Sequence, residues 1–579
     1  MDSSGAQRGT AAGEKPRVAG WKCATALLLI LLLGAALRFH RVTELEPAIW
    51  DEGSYALEAR FLSTFCRGVY DSARRFLEER LSGQDVWKRE VELPRIREET
   101  EGLPPKYGRI LHVTFVAAAN LLAGESPHNG NVVNAIFGTL TVLAVFFAGR
   151  ILYDDRVGLA AALILSVMGY HIHYSRSCLA EVDTLFFVVL AFVFYTRSRC
   201  RYPGLSQKDM ALCGLFLGIG FTAHNRCIVI FALIFLLELL LYRKPGGIAR
   251  DVRRMRLFLL TGFFLLPAFL WESFYHLVFI LFRRLQVPMT TPTFLEQVLY
   301  GFWHSLLWGY VSENFRPAGF LTFPYLYQHM NGILALALLA AGLFVAFRRP
   351  SLGDRILGAW FAFPFVLYSL TNAGLSRFFV LILPPAAILS AAALFPAPGT
   401  KGALPLLPPG ARTPLKAVLL ALLAVSGVLC SWTRVLPPAS GYAEAMAFLK
   451  RQPTTRQIAT GVPLCQVFVG VEDVERPPES MEALEALYRK GFRYYVIDFN
   501  RIIYTYYQMN RVEVMDRIAQ KLDPVSSTPN ELILRPQNAF EGNLYFWKTL
   551  AMMKTIRKEK MDRIRIFDLK EYFGPFEEP

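Results

Sequence analysis

Apolar residues in this chain gather into long runs with few charges, not into the short alternations of a soluble sheet or the stripes of surface helices. A bilayer core needs about 20 mainly apolar residues per helix. Eleven stretches meet or approach that length: 21–38, 131–149, 157–174, 178–196, 210–223, 227–242, 257–281, 331–347, 356–372, 378–395 and 416–432. Each is predicted to be a membrane-spanning helix. The first, with Lys22 ahead of it and Gly34-Ala35-Ala36 at its end, has the outline of a secretory signal, but ten further spans favour a retained anchor. Ile110–Ala123 is also apolar, yet counting it as a span would invert every later loop, so it is predicted to lie in the interface or re-enter from it. In the same long loop, 55–65 and 72–81 read as amphipathic helices, with Leu57, Phe61 and Phe65 spaced four residues apart.

After Trp432 the pattern changes. Segments 442–449 and 512–522 and the stripe Met481, Leu484, Leu487 predict helices, while 466–471, 492–498 and 531–534 predict strands. The expected organisation is a basic tail over 1–20, a transmembrane domain over 21–432 with a structured loop at 39–130, a small α/β domain over 433–540, and a mixed-charge tail over 541–579 that rests on lipid headgroups. No internal repeat of transporter type is legible.

Composition narrows the class. With 53% hydrophobic and 19% charged residues, the 579-residue chain is neither a soluble globular protein nor a disordered one. The net charge of +15 admits nucleic acid, anionic lipid or a topogenic signal, and its placement decides among them. Lys and Arg are held in the cytoplasmic loops of membrane proteins. An inside N-terminus collects Arg8, Lys15, Arg17 and Lys22 there, then Arg197, Arg199, Arg201 and Lys208, then the cluster from Arg243 to Arg256. The short outer turns keep only Arg176, Arg226 and Arg377. This asymmetry explains the basic excess without nucleic acid and puts the first long loop, the loop 282–330 and everything after Trp432 outside. The eight cysteines include no C-x-x-C pair, so neither a zinc site nor a disulfide framework is expected. The chain has no N-x-S/T sequon, which favours a bacterial plasma membrane.

Two acidic clusters fall on the expected outer rim: Trp50-Asp51-Glu52 after the first span, and Glu181 with Asp183 at the start of the fourth. Ionisable groups at a membrane boundary are costly and therefore suggest function, although helix-start carboxylates also stabilise the helix dipole. Residues two apart on a helix diverge by about 200°, so Glu181 and Asp183 cannot both face one site, and Glu181 is the expected inward one. Asp51 and Glu52 diverge likewise. The cations Lys106, Arg176, Arg226 and Arg377 share the rim, with Tyr55, His173 and His224 as candidates to touch substrate. Singly, each Arg serves equally well as an interfacial snorkeller. Together they describe an anion site beside a carboxylate base. His171 and His173 have no third ligand fixed by spacing, so no metal site or cofactor is expected, a carboxylate-held divalent cation being the alternative.

Arg38-Phe39 followed by Trp50-Asp51-Glu52-Gly53-Ser54-Tyr55-Ala56 resembles the Asp-Glu opening of the GT-C membrane glycosyltransferases, in particular the bacterial members of the dolichyl-phosphate-mannose protein mannosyltransferase and aminoarabinose transferase group. Pro104-Pro105-Lys106-Tyr107 is similar to their Pro-Pro-aromatic segment, with the Lys placed after the prolines. Arg150-Ile151-Leu152-Tyr153 resembles their basic turn. The run from Tyr174-Ser175-Arg176 to Glu181 resembles their second acidic segment, where Asp is commoner than Glu. The resemblance covers 21 to about 200. It implies a polyprenyl-phosphate-linked sugar donor, an acceptor glycan, lipid or protein, and transfer on the extracytoplasmic face with inversion. Asp51 would act as base, and Glu52, Glu181 and Asp183 would assist. Lys106, Arg176, Arg226 and Arg377 would hold the departing phosphate. The alternative is a transporter or flippase for lipid-linked sugars, which would place its acids near the bilayer midplane; Glu238 and Glu272 are the only acids well inside spans.

Overall fold

The computed structural model describes residues 20–82, 109–200, 206–240, 250–284, 319–348, 351–370, 376–395, 409–436, 440–501, 504, 508–530, 532, 535–540, 546–558 and 562–575. Helices dominate up to 434. They run α1 (Gly20–Phe39), α2 (Trp50–Leu81), α3 (Ile110–Ala123), α4 (Asn129–Leu152), α5 (Asp155–Val167), α6 (Gly169–Tyr174), α7 (Glu181–Cys200), α8 (Gln207–Ala223) and α9 (Cys227–Leu240). Then follow α10 (Arg250–Arg284), α11 (Gly319–Asn331), α12 (Ile333–Arg348), α13 (Leu352–Leu370), a 3-10 segment (Ser376–Ile382) continuing into α14 (Leu383–Leu394), and α15 (Pro409–Arg434). Over its described residues, each apolar stretch of the sequence overlaps one or more of these helices. Five of the described helical segments are long and apolar enough to cross a membrane: Gly20–Glu44, Asn129–Leu152, Arg250–Trp271, Ser376–Leu394 and Pro414–Arg434. The chain is an integral membrane protein.

Three departures from the sequence reading are instructive. The stretch 157–174 is divided, because α5 ends at Val167 and Met168 takes an extended backbone before α6 begins. The buried guanidinium of Arg38 caps the end of α5 by donating to the carbonyls of Leu165 at 3.2 Å and Ser166 at 3.1 Å, satisfying acceptors that a terminating helix leaves open. The two amphipathic segments of the first loop are one helix, α2. Within the expected loop 282–330, residues 319–331 form α11 despite Pro324.

Packing inside lipid cannot rely on a hydrophobic gain between helices, so small residues that admit close approach matter most. The 3-10 segment and α14 are wholly buried at the centre of the bundle. A Cβ on Gly342 of α12 would lie 2.4 Å from the Leu389 carbonyl of α14.

The C-terminal domain is built from α16 (Tyr442–Leu449), β1 (Gln457–Ala459), α17 (Val462–Val469), β2 (Val474–Glu475), α18 (Met481–Arg489), β3 (Tyr494–Ile497), α19 (Met509–Lys521), β4 (Ser526–Pro529), α20 (Pro536–Ala539), α21 (Phe546–Lys558), β5 (Arg563–Asp568) and α22 (Lys570–Phe573). The sheet order is β2-β1-β3-β5-β4, parallel among the first three strands and antiparallel at β5. The expected strand at 466–471 is instead the end of α17, since Pro463 suits a first helical turn and Gly470, at φ +125°, ends the helix. Residues 563–568, assigned from sequence to a tail, form an internal strand between β3 and β4, so the domain extends past 540. The expected strand 531–534 lies outside the described residues apart from Leu532.

This domain sits on the start of α2. Trp50 packs into its core, Arg60 donates to the Val467 carbonyl at 2.7 Å, and Glu46 accepts from Ser440 Oγ at 2.7 Å and the Ala443 amide at 3.1 Å. Gly53 makes the closest approach: a Cβ there would lie 2.8 Å from the backbone of Pro463.

Candidate active site

Four separate segments bring charges to one point. Asp51 and Glu181 stand in the first turns of α2 and α7, where the helix dipole favours carboxylates. Arg377 enters from the 3-10 segment and Arg226 from the turn between α8 and α9. Arg377 bridges the acids, its Nη1 donating to Asp51 Oδ2 at 2.6 Å and its Nε lying 3.4 Å from Glu181 Oε1. Arg226 Nη1 and His224 Nε2 each lie 3.7 Å from that same Glu181 oxygen. The Arg226 guanidinium stacks 2.9 Å over the Phe378 ring, and Arg109 covers the Tyr55 ring at 5.1 Å.

Charge dominates this cluster. Burial pushes the Asp51 carboxyl up, but Arg377, Arg109 and Arg226 outweigh it and hold the group below the usual carboxylate range. Burial, with Arg226, Arg109 and Arg377 alongside, drives His224 well below the ordinary histidine value, leaving the ring neutral. Burial next to Arg377 pushes Arg226 down to about 9. Glu181 Oε2 is buried with no hydrogen-bond partner among the described residues. Two carboxylates thus face three guanidinium groups, an excess of positive charge that suits an incoming anion.

The other candidates are placed elsewhere. Asp183, wholly buried, turns to His112 at 3.1 Å and to the Thr184 amide at 2.8 Å, so it and Glu181 diverge as their spacing on a helix requires. Glu52 accepts from the amides of Ala48 at 2.7 Å, Ile49 at 3.0 Å and Cys178 at 3.1 Å, which closes the first turn of α2 and ties it to the segment ahead of α7. Arg176 and His173 line a second cleft with Glu46, Glu52 and Arg535. Lys106 lies outside the described residues. Arg109 and His112 were not singled out from sequence. The available signal was a cation immediately ahead of an apolar helix and a histidine in its first turn. Among the described residues, no three His, Cys, Asp or Glu side chains gather as a metal site.

An apolar groove of about 440 Å³ runs between α9 and α13, lined by Leu233, Leu236, Leu237, Leu240, Ala359, Ala362, Phe363, Val366 and Leu367. At 1.5 Å per residue its α9 wall starts about 10 Å from Arg226 and ends about 21 Å from it.

Residues 110–271 match the family model of the dolichyl-phosphate-mannose-protein mannosyltransferases. The fold is that of ArnT from Cupriavidus metallidurans in the apo state, with a TM-score of 0.57 and 14% identity over 96% of this chain and 100% of that one. It is also similar to AglB from Archaeoglobus fulgidus, an archaeal oligosaccharyltransferase solved with an inhibitory peptide and a dolichol-phosphate. There the TM-score is 0.50, with 13% identity over 86% of this chain and 72% of that one. No curated protein matches the chain. The match to the mannosyltransferase family is confined to residues 110–271, and the chain as a whole shares its fold with these membrane proteins.

Proposed function

We propose that the chain transfers a sugar from a polyprenyl-phosphate-linked donor to an acceptor hydroxyl on the extracytoplasmic face of the membrane. The observation that carries this reading is Arg377 bridging Asp51 and Glu181 beside Arg226 and Arg109. The nearby apolar groove suits an isoprenoid chain whose phosphate reaches the interface, and AglB, of similar fold, holds a dolichol-phosphate.

The chemistry follows from the charges. A donor phosphate competes with Asp51 for Arg377, and the carboxylate it releases is free to accept the proton of an acceptor hydroxyl. The acceptor oxygen bonds to the anomeric carbon as the bond from that carbon to the phosphate oxygen breaks, inverting the centre. The phosphate departs as an anion, so it needs guanidinium donors and no acid. Glu181 faces the sugar, where its charge stabilises an oxocarbenium-like transition state. Glu52 and Asp183 hold the segments that carry Asp51 and Glu181. His224, neutral, and Tyr55 are the polar groups available to the sugar hydroxyls.

The test is incubation of the purified protein in sealed proteoliposomes with polyprenyl-phosphate sugars and candidate acceptors. Release of polyprenyl phosphate that depends on acceptor is the expected result. Passage of intact donor across the bilayer without release would establish the transporter reading instead.

A further inference from the structure

The second cleft has Glu52, and not Asp51, in its wall. Its volume is about 40 Å³, and its walls are the segment from Leu45 to Glu52, the turn carrying Arg176, and residues 532–538 of the C-terminal domain. A single water needs roughly 10–15 Å³ on this measure, so the space admits a carboxylate or phosphate group. It shares no lining residue with the apolar groove.

Its transmembrane-domain cation, Arg176, is under-used. Arg176 is 3% exposed and donates from Nη2 to the His40 carbonyl at 2.7 Å. Its Nε and Nη1, and Nε2 of His173, are buried without hydrogen-bond partners among the described residues. The two acids on the wall are already engaged, Glu52 with three amides and Glu46 with Ser440 and Ala443. Burial together with the charges of Arg535 and Arg41 pushes the Arg176 guanidinium down to about 10. A buried donor left unsatisfied is destabilising, more so when it is charged, and an oxyanion removes that cost.

We infer that this cleft is an anion subsite for the acceptor, in which Arg176 from the transmembrane domain and Arg535 from the C-terminal domain hold a phosphate or carboxylate carried by the acceptor molecule. The inference rests on the transferase reading and deepens it: the C-terminal domain contributes a specificity residue, and neutral acceptors are disfavoured. The donor phosphate has its own cations in Arg226, Arg377 and Arg109, on the side where the apolar groove runs. An anion at Arg176 therefore belongs to the second substrate.

Phosphorus NMR titration of inorganic phosphate, on protein in lipid discs saturated with polyprenyl phosphate, tests the subsite without turnover. Wild-type protein is expected to bind inorganic phosphate, and Arg535→Gln and Arg176→Lys to bind it at least tenfold more weakly, with unchanged elution on size exclusion. Equal binding by wild type and both variants overturns the subsite, as does its abolition in wild type by polyprenyl phosphate, which would show one shared site. Loss of phosphate binding in the variants together with absence of any sugar transfer by wild type would refute the transferase reading while leaving an anion cleft in place. Where transfer is seen, Arg535→Gln should raise KM for a phosphorylated acceptor about tenfold with kcat and donor KM unchanged. An equal KM with phosphorylated and unphosphorylated acceptors in wild type would overturn the assignment to the acceptor.

Discussion

Two buried acid–arginine clusters stand near opposite ends of α7, and only one of them is closed. At the C-terminal end, Glu238 takes Arg256 Nε at 3.1 Å on one oxygen, and Arg256 Nη2 at 3.1 Å and Arg199 Nε at 3.0 Å on the other. Arg256 also donates to Ser198 at 2.7 Å, and both Glu238 and Arg256 are fully buried. At the N-terminal end, Glu181 has two cations at 3.7 Å or nearer and a second oxygen with no partner among the described residues, and Asp51 keeps 27% of its side chain accessible. The residue types are the same, and Glu181 and Arg199 are about 27 Å apart along the helix. Both oxygens of Glu238 are engaged, as suits an acid that holds helices together, whereas the open oxygen of Glu181 beside an accessible Asp51 is what the proposed transfer site requires. Glu238, an acid well inside a span, is thereby accounted for as a structural partner rather than a station on a transport path.

The sharpest way to break this contrast is to neutralise one acid from each cluster. Asp51→Asn is expected to lower kcat by about 10²–10⁴-fold, the usual scale for a lost general base, with the thermal transition of the detergent-solubilised protein little changed. Glu238→Gln should do the reverse. Removing one partner of a buried ion pair costs about 3–5 kcal/mol, so folded yield and thermal stability should fall, while kcat per folded molecule holds. If Asp51→Asn loses stability and keeps turnover, the two clusters have been assigned the wrong way round.

A smaller effect refines the open cluster. Arg377→Gln removes the guanidinium that Asp51 touches, so donor affinity should fall about tenfold or more, since hydrogen bonds to charged groups contribute about 1.5–3 kcal/mol. The same change removes a cause of the lowered Asp51 titration. With its pKa raised, Asp51 takes up its proton at higher pH, and the acidic limb of the kcat/KM profile, which reports the free enzyme, should move to higher pH than in wild type. A limb that stays in place would mean that another group titrates there.

How much of this is legible in the sequence depends on whether the signal is local. The apolar runs are local, and each overlaps helix over its described residues. The pairing of Asp51 with Glu181 follows from resemblance and from loop placement, both readable along one chain. The break at Met168 is not, because Arg38, more than a hundred residues earlier, supplies the donors that let α5 stop there. Segment 466–471 looks like a strand from its Val and Phe residues. The helix forms instead, because Pro463 suits its first turn and its side chains pack onto α2 and α16. Arg109 and Arg535 carry no motif; only the fold aims them. The strand at 563–568 is short and charged on alternate positions, and its place between β3 and β4 is set by pairing partners more than thirty residues away.

The smallest expected effect concerns how the C-terminal domain positions the open cluster. Gly53 lies two residues after Asp51, where the backbone of Pro463 leaves no room for a side chain. Backbone on both sides resists the shift that a methyl would demand, and overpacking of this kind typically costs about 1–3 kcal/mol. Gly53→Ala should therefore weaken the contact between α2 and α17 and tilt the first turn of α2. The geometry of Asp51 would be disturbed with no charge altered. The expected readout is a modest fall in kcat, together with faster proteolysis within the C-terminal domain and unchanged binding of polyprenyl phosphate, whose cations come from other segments. Pro463→Ala in the same background leaves the clashing backbone in place and should not restore activity. Restoration would show that the proline ring, and not the chain itself, sets the spacing between the domain and Asp51.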